Sequence, residues 1–171
     1  MKKYWSISLA LPLFCLAIYY FFPEPPLDAR FKPTRIVVFK SARRMDLYGK
    51  TQLLKSYRVS LGRTPVGDKH FEGDNKTPQG QYVIFDKNPH SVCYKNLGIS
   101  YPNEADRQTA QALGRPVGGD IKIHGLPNGR GFFGKFHRLG DWTNGCIAVT
   151  DAEIDELYAA VAVGTPITIN P

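Results

Sequence analysis

The longest apolar stretch opens the chain. Tyr4 to Phe22 carries no charge, and Ile7, Leu9, Leu11, Leu13, Leu16 and Ile18 recur through it. Its 19 residues approach the ~20 that cross a bilayer as a helix. They also exceed the ~7–15 of a cleavable signal's apolar core. Lys2 and Lys3 precede the stretch, and Pro23, Pro25 and Pro26 follow it with no small-residue cleavage site between. Residues 1–22 are therefore expected to be an uncleaved anchor, lysines on the cytoplasmic side and the remainder exported. A cleaved signal peptide is the alternative. Pro12 does not forbid a membrane helix.

Residues 23–33 are proline-rich and read as a semi-rigid spacer. Beyond them the pattern changes to short β-rich runs bounded by turns. Ile36 to Phe39, Met45 to Tyr48 and Leu53 to Ser60 read as a three-stranded meander. Gly62, Pro65, Gly67, Gly73, Pro78 and Gly80 mark a long loop, and Gln81 to Asp86 is a further strand. Pro102 to Leu113 reads as a helix capped by Asn103. Ile121 to His124 is a short strand, and Ile167 to Ile169 the last one. Thr150 with Glu153 forms a capping-box pattern, which opens a helix carrying Ile154, Leu157, Tyr158 and Val161 on one face. Residues 34–171 are thus expected to form one mainly β domain with two or so helices.

Charge alters this picture little. The formal net charge is +7, of which Lys2 and Lys3 supply two, leaving +5 for the rest. That excess favours polyanionic partners. The cations are scattered, with no basic run interleaved with aromatics, so nucleic acid is not an expected partner. Three cysteines, Cys15, Cys93 and Cys146, do not make a disulfide scaffold. No His-x-x-x-His or Cys-x-x-Cys is present, and neither a metal nor another cofactor is expected.

The candidate chemistry lies in Thr143-Asn144-Gly145-Cys146-Ile147-Ala148 and, upstream, Ile121-Lys122-Ile123-His124-Gly125. A nucleophilic thiol needs a neighbouring base or oriented backbone N–H groups. Gly145 before Cys146 permits a turn that exposes a thiol and gathers amides at one point. The other reading of Cys146 is a small buried residue. Four histidines could serve as base. Spacing does not separate His124 from His137, and placement at a strand end favours His124. His70 and His90 sit in turn-like segments and read as solvated side chains. Between Gly125 and Trp142, five glycines stand alongside Phe132, Phe133, Phe136 and Trp142, the composition of a flap or pocket wall. An ordinary surface loop has the same composition.

At these residues the sequence resembles the L,D-transpeptidase catalytic domain of the YkuD type. The matching segments are Ile36 to Phe39, Lys76-Thr77-Pro78-Gln79-Gly80-Gln81-Tyr82, Ile123-His124-Gly125 and Thr143 to Ala148, and the resemblance covers roughly Pro33 to Pro171. It implies a β-sandwich-like fold, a periplasmic location and peptidoglycan stem peptides as partners. A cysteine would attack the acyl group of a meso-diaminopimelate residue, release the terminal D-alanine and pass the acyl group to an amine. Carried over residue by residue, Cys146 is the nucleophile and His124 the base. Gly125 orients the imidazole, and the backbone around Asn144 and Gly145 supplies the oxyanion hole. Phe133, Phe136, Trp142 and Thr143 are expected to meet substrate. Asn144 and Ala148 stand where the common family pattern has histidine and arginine. With Asp141-Trp142-Thr143 ahead of them, they resemble a divergent subgroup. Some of its members hydrolyse the link between diaminopimelate and an outer-membrane lipoprotein. The resemblance therefore leaves a transpeptidase, a hydrolase of that bond and a non-catalytic wall-binding module as alternatives.

Overall fold

The structure, a computed structural model, describes residues 3–171, with side chains from residue 11 onward. Met1 and Lys2 of the expected anchor lie outside the described residues, and for Lys3 to Ala10 only the backbone is described. Helix α1 spans Lys3–Phe21 and continues through Pro12. Among the described residues no helix is long and apolar enough to cross a membrane. The anchor expected over residues 4–22 therefore gains no support from the structure. The last turn of α1 instead touches the domain. Tyr20 Oη donates to the Phe132 carbonyl (2.6 Å), and its ring lies 5.0 Å from that of Phe136.

Eight strands follow: β1 (Arg35–Phe39), β2 (Arg44–Tyr48), β3 (Leu53–Arg58), β4 (Gly80–Ser91), β5 (Tyr94–Ile99), β6 (Lys122–His124), β7 (Ile147–Ala148) and β8 (Pro166–Asn170). They hydrogen-bond in the order β3-β2-β1-β8-β4-β5-β6-β7. β1 and β8, both read from sequence as strands, alternate in burial, with Ile36 and Val38, and Ile167 and Ile169, as the buried members. Those two strands lie parallel at the heart of one half. β4 joins the halves. Gly80 to Val83 pairs with β8, and from Ile84 onward the strand pairs with β5, with register shifts between Ile84 and Asp86 and between Asn88 and Ser91. One apolar cluster draws on both halves, from Ile36, Met45, Tyr57 and Ile169 to Leu97, Ile99, Ile123 and Ile147, which gives the sandwich-like fold its single core.

Both expected helices form with the caps read from sequence. α2 (Glu104–Ala112) begins at Asn103, and α3 (Asp151–Ala160) begins at Thr150, each with a complete capping box. α3 packs on β5 and β6 and so braces the strand that carries His124. Two strands had no clear sequence signal. β5 contains Asn96 and Gly98, both poor strand formers. Gly98 is there because the Phe85 ring covers it; a Cβ would lie 2.8 Å from Phe85 Cε1. β7 is two residues long, too short to show a period.

Candidate active site

β6 and β7 run parallel, with Ile123 opposite Ile147 and His124 opposite Ala148. Ile123 and Ile147 are fully buried and pin the pair to the core. Side chains alternate along strands, so the register carried back one step sets Cys146 beside Lys122, on the same face as His124. The segment that delivers Cys146 is held from both sides. Thr143 Oγ1 accepts from the Gly145 N–H (3.1 Å) and donates to the Cys146 carbonyl (2.7 Å). Thr143 also bridges Gly62, and Ala148 bridges Ser60. Gly145 has φ +132°, and a Cβ there would lie 2.6 Å from the Lys76 carbonyl oxygen. The position therefore excludes larger residues for both reasons.

The His124 ring is buried, 6% exposed, and Nδ1 lies 2.7 Å from the Gly125 carbonyl. A carbonyl only accepts, so Nδ1 carries the proton and Nε2 is left as the unprotonated acceptor. Trp142 packs edge-on against the ring at 5.7 Å. Burial holds the His124 pKa below the ordinary histidine value, partly opposed by the Gly125 hydrogen bond. Burial likewise pushes the Cys146 thiol up, opposed by the Lys122 backbone N–H and the Lys122 ammonium. Cys146 is half-buried, and it, Cys93 and the exposed Cys15 are all free thiols. Its Sγ donates to the Asp120 carbonyl at 3.4 Å. Among the described residues no hydrogen bond joins it to His124.

The His137 ring also packs edge-on against Trp142, with ring centroids 6.4 Å apart. Ser60 Oγ gives its only proton to the His137 carbonyl (3.0 Å) and so accepts from Nδ1 (3.2 Å). Nε2 of His137 is then a bare acceptor, buried without a partner. Burial, then Arg138, lowers this histidine to about 4.

The remaining expected residues divide. Phe133 and Trp142 line a groove of about 300 Å³ with Arg63, Leu126, Pro127, Arg130 and His137. Phe136 does not line it; its ring packs on Tyr19 and Tyr20 of α1 instead. Thr143 is buried rather than facing substrate, and its hydroxyl closes the turn. Asn144 is exposed, and its Oδ1 accepts from Arg63 Nη1 (2.8 Å). The expected flap is a pair of short 3-10 turns, Gly131–Leu139, broken at Gly134. His70 lies in the long loop and His90 is exposed near the end of β4. Among the described residues no cluster of three His, Cys, Asp or Glu could hold a metal ion. Arg63 and Arg130 carried no sequence signal, and Asp141 entered only through the Asp141-Trp142-Thr143 resemblance. Asp141 ties Arg43 (2.8 Å) and the Leu61 N–H (2.8 Å) beside Trp142, contacts that span 98 and 80 residues.

The chain matches the YkuD family, described as the L,D-transpeptidase catalytic domain, over residues 33–169. It is 32% identical over 137 residues to YafK of Escherichia coli (strain K12), provisionally described as an L,D-transpeptidase. That alignment covers 75% of this chain and 47% of YafK. The chain thus spans about half the length of the relatives it matches. Among solved structures, it is similar to the helical cell shape determining protein Pgp2 from Campylobacter jejuni, with a TM-score of 0.63 and 25% identity. That match covers 82% of this chain and 48% of Pgp2. An L,D-transpeptidase from Mycobacterium smegmatis shares the fold at a TM-score of 0.55 and 14% identity, over 82% of this chain and 59% of that one.

Proposed function

This chain belongs to the L,D-transpeptidase catalytic domain family, and from that premise we propose that it is a cysteine acyltransferase acting on peptidoglycan stem peptides in the periplasm. The observation that carries the reading is the β6–β7 register, which sets Ile147 and Ala148, the residues directly after Cys146, against Ile123 and His124, with His124 Nδ1 bound to the Gly125 carbonyl. In this reading both groups rest neutral, because burial disfavours each charged form. The thiol leaves the Asp120 carbonyl by turning about its Cα–Cβ bond and gives its proton to His124 Nε2 as it attacks the diaminopimelate acyl carbon. The imidazolium so formed then protonates the departing D-alanine amine. The Gly145 N–H already holds the turn, so the amide of Cys146 itself is the oxyanion donor that remains. An acceptor amine, or water, then takes the acyl group from Sγ through the same histidine.

The substituted Asn144 and Ala148 keep hydrolysis, including release of an outer-membrane lipoprotein, as the second outcome of the same acyl-enzyme. Mass spectrometry of stem-peptide products from the purified chain separates them. Cross-links or D-amino-acid exchange indicate transpeptidation, and shortened or released products indicate hydrolysis. Cys146→Ala is expected to abolish both while leaving the circular dichroism spectrum unchanged. Turnover surviving in that variant removes the cysteine mechanism.

A further inference from the structure

Arg63 and Arg130 both line the groove, and among the described residues neither is paired with a carboxylate. Arg63 is fixed at both ends. Its backbone N–H donates to the Thr143 carbonyl (3.0 Å), and its Nη1 donates to Asn144 Oδ1 (2.8 Å). A neutral amide orients a guanidinium without cancelling its charge, and the remaining N–H groups keep their donor capacity. Leu126, Pro127, Phe133 and Trp142 add apolar walls to the same groove. An oriented, unneutralised arginine above apolar walls fits a carboxylate carried on a short peptide, which a guanidinium grips with two parallel hydrogen bonds. Asn144 is two residues before Cys146, so the cation stands at the turn that delivers the thiol.

We propose that Arg63 binds a carboxylate of the substrate, that Arg130 adds the second positive charge of the same subsite, and that Asn144 is the positioning residue that aims Arg63. This rests on the reading of the chain as a stem-peptide acyltransferase. The two residues joined by the scissile bond each offer such a group, the terminal carboxylate and the free carboxylate on the diaminopimelate side chain, with the same chemistry.

Calorimetric titration of the full chain distinguishes the two. The ligands are a diaminopimelate tetrapeptide and its two single carboxamides, titrated on the Cys146→Ala background so that no turnover intervenes. Arg63→Gln is expected to raise the Kd on the order of tenfold, the size of one charged hydrogen bond. The carboxamide that removes the recognised group should do the same, and the two losses together should not exceed either alone. Arg63→Lys should recover only part of the loss, because an ammonium lacks the fork. In the chain with Cys146 intact, Arg63→Gln should raise KM with kcat nearly unchanged. Losses that multiply, an unchanged Kd in Arg63→Gln, or no binding of any stem peptide each overturn the proposal. Carboxylate-dependent binding without any product sinks the acyltransferase reading alone. Turnover that is indifferent to Arg63→Gln sinks this one alone.

Discussion

Burial raises the Cys146 thiol and lowers the His124 imidazole, so each charged form is disfavoured. A resting thiolate–imidazolium pair needs the opposite shifts. Alkylation by iodoacetamide tracks the thiolate fraction. Its rate at Cys146 should therefore stay low at neutral pH and climb only above the pH at which an ordinary cysteine reacts. A reactive plateau extending into acid would show a preformed ion pair instead. The choice between histidines is made at the same scale. His137 Nε2 is sealed in the interior, whereas His124 has its Nδ1 proton committed to Gly125 and Nε2 left as the unprotonated acceptor. His124→Ala should lose ~10²–10⁴-fold in kcat, the usual worth of a general base. His137→Ala should lose far less in steady-state assays of the same substrate. Similar losses in both would refute the assignment of roles. The cysteine, the histidine and the glycine beside each could be picked out from the sequence. The occupied Gly145 amide and the buried Thr143 could not, because the sequence does not say which atom a turn's hydroxyl will meet.

The elements near the site are short, and their shortness makes them depend on neighbours. β7 has two residues and is anchored by Ile147 in the core, by the bridge from Ala148 to Ser60, and by the Thr143 turn. Gly145→Ala must push a methyl group to 2.6 Å from the Lys76 carbonyl oxygen at φ +132°. The turn has to shift, so the variant should lose nearly all turnover and also melt at a lower temperature. Calorimetric unfolding next to an activity assay checks both effects. The longer elements were legible from sequence because their signals are local. Asn103 and Thr150 cap helices through bonds three residues away, and β1 alternates within five residues. β5 was hidden because its glycine answers to a ring on another strand. Phe136 was misplaced because its partner, α1, lies more than a hundred residues earlier in the chain.

For the whole molecule, the buried histidines set a limit in acid. Above about pH 6.5 folded and unfolded chains both hold His137 neutral. Between about 6.5 and 4 only the unfolded chain takes up the proton, so stability falls as pH drops through that window. The loss from this residue is at most about 3 kcal/mol, and His124 acts in the same direction. Denaturant midpoints at pH 7 and pH 4.5 should differ in the native chain and draw closer together in His137→Gln. An unchanged difference would assign the acid sensitivity to other groups.

By itself the sequence determined the class of fold, the two capped helices and most strands, and it singled out Cys146 and His124 as the candidate pair. Each of these follows from residue type, from period or from a bond to a near neighbour, and such information is local. Only the tertiary structure decided which histidine keeps a usable nitrogen, which amide is already engaged, and that Arg63 stands over the Asn144 turn. Those outcomes depend on contacts between segments far apart in the chain, where burial and hydrogen-bond partners are set by the packing of the whole domain and not by any stretch of sequence.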